Sequence, residues 1–199
     1  MQRRKYTIDD VNFMDWVEFG EVLESLIQKL DKYQLDHNIH FDIVAPILRS
    51  GGIPAAVIAN RFGILRFLPV QVKYVYSESD PTKSQLKQVL SLPEIFQDTP
   101  SSPNILVCDC NTSTGESAKK SIAIIKDRYP DATIYNATVA KVFGGPDNLD
   151  NVKEYFWGVQ TNEFFKADDV VVEKLGLRPK ITVFPWETIG TELFEINSD

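Results

Sequence analysis

"NILVCDCNTSTGESAKKSI", residues 104–122, opens as a buried strand and closes as a polar helix, with a turn of small hydroxylated residues between them. Ile105, Leu106, Val107 and Cys108 form a continuous apolar run, which suits a strand covered on both faces better than an alternating surface strand. From Glu116 onward, Ala118, Ile122 and Ile125 fall at helical spacing. The turn therefore joins the carboxyl end of a strand to the amino end of a helix. In an open parallel sheet, ligands bind at that place.

The same unit occurs once more, upstream. "FDIVAPIL" (41–48) reads as an apolar strand, "RSGG" (49–52) as a glycine turn and "IPAAVIANRFG" (53–63) as a helix. A first helix is expected from about Asp15 to Tyr33, with Trp16, Leu23, Leu26, Ile27 and Leu30 near one face. "RFLPVQVKYVY" (66–76) reads as one further strand, the polar residues 77–93 with Pro81 and Pro93 as a mobile loop or excursion, and "QDTPSSP" (97–103) as a linker. Downstream, "ATIYNATVAKV" (132–142), "KEYFWGVQ" (153–160) and "KITVFPWE" (180–187) read as strands, with "GGPDNLDN" (144–151) as a turn. Strands alternating with helices predict an α/β fold: a twisted parallel sheet with right-handed crossovers, flanked by helices.

The 199 residues suit one domain over 1–199, with 43% hydrophobic and 25% charged residues, an ordinary globular balance. No apolar run approaches the ~20 residues of a membrane helix, and "MQRRKYTIDD" lacks the apolar core of a signal peptide. A cytoplasmic protein with no membrane partner is expected. The net charge of -7, with no Lys/Arg stripe, argues against nucleic acid as a partner. Cys108 and Cys110 are the only cysteines, too few ligands for structural zinc, and read as one buried strand cysteine and one loop cysteine. His37 and His40 precede the first apolar strand and read as structural or solvated.

In "DCNTSTGES" (109–117) free backbone N–H groups, the positive end of a helix dipole and the hydroxyls of Thr112, Ser113, Thr114 and Ser117 around Gly115 together make a phosphate cradle. The alternative is an ordinary capped helix start. It is not a P-loop, because Glu116 stands where that motif needs lysine. Asp109 ends the strand just before the cradle, placed for sugar hydroxyls or for Mg²⁺ carried on phosphates. "LRSGG" (48–52) is a second anion turn, with the fixed charge of Arg49 and glycines that let the backbone approach closely; a plain turn with a solvated arginine is the alternative.

With these two turns the sequence resembles the type I phosphoribosyltransferases. "ILVCDCNTSTGES" follows that family's strand, acid and Thr-Gly pattern, and "FDIVAPILRSGGIPAAVIANRFGI" its diphosphate loop. "YTIDDV", "VKYVY" and "ITVFPWE" resemble the hypoxanthine, guanine and xanthine members, so the likeness covers roughly residues 6–187. The resemblance implies a small hood built from terminal segments. It implies purine salvage: transfer of 5-phosphoribosyl from phosphoribosyl diphosphate to a nucleobase, with Mg²⁺. Thr112 and residues 113–117 (Ser113, Thr114, Gly115, Glu116, Ser117) would hold the 5′-phosphate and Asp109 the ribose hydroxyls and metal. Arg49, Ser50 and Gly51 would hold the diphosphate, with Leu48–Arg49 a candidate cis peptide. Lys141 would read the exocyclic oxygen of the base, and Lys83 and Lys87 are candidates to meet the diphosphate from a closing loop; each has a solvated lysine as its alternative. A homodimer is the expected assembly.

Three positions depart from that pattern. Cys110 and Ser113 stand where purine members carry acids, and Ser113 would have to act at the base proton without an activating partner. Ile181 replaces a stacking aromatic, which leaves Phe184, Trp157 or another ring for the base. A protein that binds phosphoribosyl diphosphate or a nucleotide as a sensor, without turnover, is the competing expectation.

Overall fold

The computed structural model describes residues 5–76 and 84–198. Strand β1 (Val11–Phe13) leads into helix α1 (Trp16–His37). Asp15 caps α1 by accepting from the N–H groups of Val17 and Glu18 at 2.9 and 2.8 Å. The helix runs one turn beyond its expected end at Tyr33 and stops where Asn38 turns left-handed. Then come β2 (Ile43–Pro46), α2 (Gly52–Phe62), β3 (Arg66–Phe67), β4 (Gln71–Tyr76) and β5 (Ser84–Leu90). The second half holds β6 (Asn104–Thr112), α3 (Glu116–Arg128), β7 (Thr133–Val142), β8 (Glu154–Thr161), α4 (Asp169–Leu175), β9 (Ile181–Val183) and α5 (Ile189–Ser198).

Five strands form the central sheet in the order β3-β2-β6-β7-β8, all parallel. Residues of β6 alternate between the two layers that cover it. Leu106, Cys108 and Cys110 pack toward α1 and α2, in a core with Phe19, Leu26, Ile58 and Tyr135. Ile105 and Val107 pack toward α3, with Ile122 and Ile125. Burial on both faces explains why residues 105–108 of β6 read as a continuous apolar run. From β2 the chain goes to β3 on one side and returns to β6 on the other, so a crevice opens at the carboxyl ends of β2 and β6.

Three expectations change. The stretch 66–76 is not one strand: β3 ends at Phe67 on the edge of the sheet, and past Pro69, whose missing N–H falls on the open side of that edge, only a single bridge, Ile47 to Val70, continues the pairing. The chain then leaves the sheet as β4, which pairs antiparallel with β5 in a separate ribbon. Residues 84–90 of the expected loop are thus a strand, while 77–83, with Lys83, lie outside the described residues. Cys110 is no loop cysteine either, but a buried residue of β6.

The two ends of the chain meet as expected. β1 and β9 pair in parallel, Val11 with Ile181 through Phe13 with Val183, and Asn197 exchanges two hydrogen bonds with the backbone of Tyr6 at 2.9 and 3.0 Å. This hood lies beside the crevice. Among the described residues, no helix is long and apolar enough to cross a membrane.

Candidate functional site

The turn after β6 is held open by glycine. Gly115 has φ 77°, a left-handed conformation that costs other residues energy, and a Cβ there would come within 3.0 Å of both Pro146 and Leu149. Among the described residues, the N–H groups of Thr114, Gly115 and Ser117 meet no protein acceptor, and that of Glu116 reaches only Thr114 Oγ1, at 3.5 Å. These donors stand at the positive end of α3. The six residues expected there do not share one role. Thr112 is the last residue of β6, buried, so its side chain is not part of the turn. The Ser113 carbonyl packs so closely on Gly145 that a Cβ there would sit 2.4 Å from it. Glu116 accepts the hydroxyl of Tyr74, which ties β4 to the turn.

The turn after β2 approaches β6 even more closely. The Leu48–Arg49 peptide is cis. A Cβ on Gly51 would lie 2.5 Å from the Ile47 carbonyl oxygen, 2.6 Å from that of Cys108 and 3.1 Å from Asp109 Cα. Only glycine lets this loop rest against the end of β6. Cys110 Sγ donates to the Ser50 carbonyl at 3.0 Å, so the side chain in the second acid position serves as a strut beneath the loop.

Both turns border one cleft of about 640 Å³. Arg49, Ser50, Asp109, Asn111 and Ser117 line it from the sheet, Lys73 from β4, and Trp186, Glu187, Thr188 and Glu192 from the hood. Asp109 is half-buried at the strand end, and burial pushes its carboxyl up to about 7, against the opposing effect of the Cys110 N–H bonded to its Oδ1 at 2.8 Å. Asn111 follows two residues later, on the same face of β6. Its Nδ2 donates to both carboxylate oxygens of Glu163, at 3.2 and 3.1 Å, and Glu163 also accepts the Thr182 N–H of β9 at 3.3 Å. Burial raises Glu163 above the usual carboxylate range.

The expected base contacts lie elsewhere. Lys141 is fully buried, its Nζ paired with Asp147 and 4.4 Å from the Trp157 ring centroid, and it does not line the cleft. Phe184 is buried between Phe19 and Trp186, with centroids at 6.5 and 5.2 Å, so the aromatic on the cleft wall is Trp186. Ser113 is not on the wall. Lys87 pairs in register with Lys73 on the β4–β5 ribbon, and it is Lys73 that reaches the cleft. Lys73, Asn111, Glu163 and Glu187 are not evident from sequence reasoning. Asn111 had a usable signal, its two-residue offset from Asp109; Glu163 comes from a distant loop and had none.

No protein-family model and no curated protein matches this sequence. Solved structures do. The chain is similar to a purine phosphoribosyltransferase of Pyrococcus horikoshii, with TM-score 0.63 and 18% identity over 90% of this chain and 96% of that one. It is similar to a hypothetical protein of Neisseria gonorrhoeae with bound ppGpp, with TM-score 0.65 and 16% identity over 97% and 98%. A xanthine-guanine-hypoxanthine phosphoribosyltransferase of Helicobacter pylori gives TM-score 0.59 and 12% identity over 93% and 99%. The parallel sheet, the two glycine-bearing turns at its switch point and the hood built from both termini are accordingly those of the type I phosphoribosyltransferase fold.

Proposed function

We propose that this protein transfers the 5-phosphoribosyl group of phosphoribosyl diphosphate to a ring nitrogen of a purine base. The observation that carries the reading is that Arg49 and Ser50 of one turn, Ser117 at the end of the other and Asp109 line one cleft. The free N–H groups of the second turn suit a terminal phosphate, and Asp109 suits the two ribose hydroxyls. Arg49 and Lys73 supply the positive charge for a diphosphate. In the reaction the C1–O bond to diphosphate breaks, a C1–N bond to the base forms, and the ring nitrogen gives up its proton. The sugar is oxocarbenium-like between these events, so the protein's work is to fix both anions, align the base and stabilise the leaving diphosphate.

Mg²⁺ fits this site as an ion shared with substrate. Among the described residues no group of three metal-binding side chains exists, and Mg²⁺ commonly takes one carboxylate, here Asp109, with substrate phosphates and water for the rest. It would supply charge neutralisation on the diphosphate. Trp186 offers the base a ring face, and Glu187 beside it is the carboxylate assigned to the base proton, because Ser113 is not on the wall.

A second reading, nucleotide binding without turnover, is favoured by Cys110, whose thiol is turned away to Ser50 and replaces an acid without substituting for it. The ppGpp complex of the Neisseria protein adds that a protein of this fold holds a nucleotide. Diphosphate release with Mg²⁺ over a panel of bases separates the two. Release with at least one base, lost in Asp109→Asn and Thr114→Val, supports transfer. Binding of phosphoribosyl diphosphate with no release for any base supports the sensor, and release untouched in both variants rejects the site.

A further inference from the structure

We propose that Lys141 is a positioning residue for the 5′-phosphate: by pairing with Asp147 it clamps the loop between β7 and β8 onto the turn that receives that phosphate. The inference rests on the phosphoribosyl reading of the cleft and gives Lys141 a task other than reading the base. In the sheet Lys141 stands beside Thr112, the residue just before the turn. Its side chain is fully buried, with the ammonium against the Trp157 ring and bonded to Asp147, whose own side chain is 83% exposed. A buried ammonium is tolerated only where it is paired. The lysine is fixed by the sheet and the carboxylate rides on a surface loop, so the pair pins the loop rather than the strand.

That loop bears directly on the turn. A Cβ on Gly145 would sit 2.4 Å from the Ser113 carbonyl oxygen, and one on Gly115 would sit 3.0 Å from both Pro146 and Leu149. Pro146 and Leu149, on either side of Asp147 in the chain, thus back the left-handed glycine of the turn. Leu149 is buried with Ala118 and Ile122 of α3, which seats one end of the loop. At the other end, Asp147 is the one side chain of 144–150 that is hydrogen-bonded among the described residues. The remaining holds there are the Gly145 N–H on the Val142 carbonyl at 3.0 Å and the exposed Lys166 on the Gly144 carbonyl at 3.2 Å, and neither reaches Pro146. A turn grips an anion only while its N–H groups converge on one point, and the backing of the loop preserves that shape.

Calorimetric titration of the full chain with inosine monophosphate, adenosine monophosphate and inorganic diphosphate tests the clamp. The variants are Lys141→Met, Asp147→Asn and the two combined; the combined variant leaves no unpaired charge in the interior, and so keeps the test open where a single change prevents folding. Both nucleotides are expected to bind about tenfold more weakly in each variant, the scale of one charge-assisted hydrogen bond to phosphate. The combined variant is expected to be no weaker than the single ones, because the two residues act as one unit. Diphosphate, assigned to the Arg49 turn, is expected to bind as in wild type, which a general loss of packing would not spare. Hydrogen exchange at 113–117 is expected to accelerate in the same variants. Unchanged nucleotide affinity in the combined variant overturns the proposal, and so do equal losses for nucleotides and diphosphate. A loss in Lys141→Met for inosine but not adenosine monophosphate also overturns it, since Lys141 would then read the 6-oxo group of the base. A wild-type chain that binds neither nucleotides nor phosphoribosyl diphosphate removes the reading of the cleft together with this role, a result distinct from wild-type binding with unaffected variants.

Discussion

Replacing Gly51 by alanine tests the joint between the two turns. The φ of Gly51 is -59°, so alanine brings no backbone strain and the whole effect is steric. The new Cβ would sit 2.5 Å from the Ile47 oxygen and 2.6 Å from the Cys108 oxygen, and must retreat by about 0.9 Å to reach ordinary contact at 3.4 Å. Neither oxygen yields easily. The Ile47 carbonyl accepts the Gly51 N–H at 3.1 Å, and the Cys108 carbonyl accepts the Ile47 N–H at 2.8 Å within the sheet. The loop must therefore move away from β6, carrying Arg49 and Ser50 away from Asp109. Overpacking of this kind costs about 1–3 kcal/mol, and displacing a positioning group by close to an ångström costs about a hundredfold in turnover. Gly52→Ala is the control, since its Cβ meets only the flexible end of Leu48, at 3.3 Å. Urea unfolding and titration with phosphoribosyl diphosphate should show Gly51→Ala losing both stability and binding, with Gly52→Ala close to wild type. Wild-type affinity and stability in Gly51→Ala would refute the close approach of loop and strand.

Other substitutions separate the remaining parts. The Asp109 carboxyl is raised from 3.8 to about 7, so its contribution to stability is full below about pH 4 and is lost as pH rises through about 7. The loss has an upper limit of about 4 kcal/mol, reduced by the half-exposed position to about 2–3; in urea titrations across that window Asp109→Asn should lack it, and parallel pH profiles would contradict the burial of the carboxylate. Phe184→Ala should destabilise by about 3–5 kcal/mol in thermal or urea unfolding as a core truncation, whereas Trp186→Ala should weaken nucleotide binding more than phosphoribosyl diphosphate binding. Equal loss of both ligands in Trp186→Ala would take the indole off the base. Tyr74→Phe removes the hydroxyl held by Glu116 and should cost no more than about 1 kcal/mol of stability, while hydrogen exchange should accelerate in β4 and β5; unchanged exchange there would show that the contact does not tie the ribbon to the turn.

The sequence by itself determined the layered α/β sheet and its two anion turns. Strands buried on both faces, such as 105–108, leave a local signal that needs no partner to be read, and so do the glycines that end them. The cis Leu48–Arg49 peptide and the hood from both termini were legible through the resemblance carried by the same residues. Tertiary structure decided the rest, because side-chain direction and long-range partners leave no local trace. Lys141 reads as a strand-end lysine until Asp147 and Trp157 close over it. Phe184 and Trp186 are two residues apart in "FPWE" and both pack on Phe19, yet Phe184 is buried and Trp186 reaches the cleft. Glu163 acquires its place only when the hood seats Thr182 and β6 presents Asn111 from 52 residues away in the chain. Polar groups brought together across such separations are fixed by packing of the sheet and hood, which no window of sequence contains.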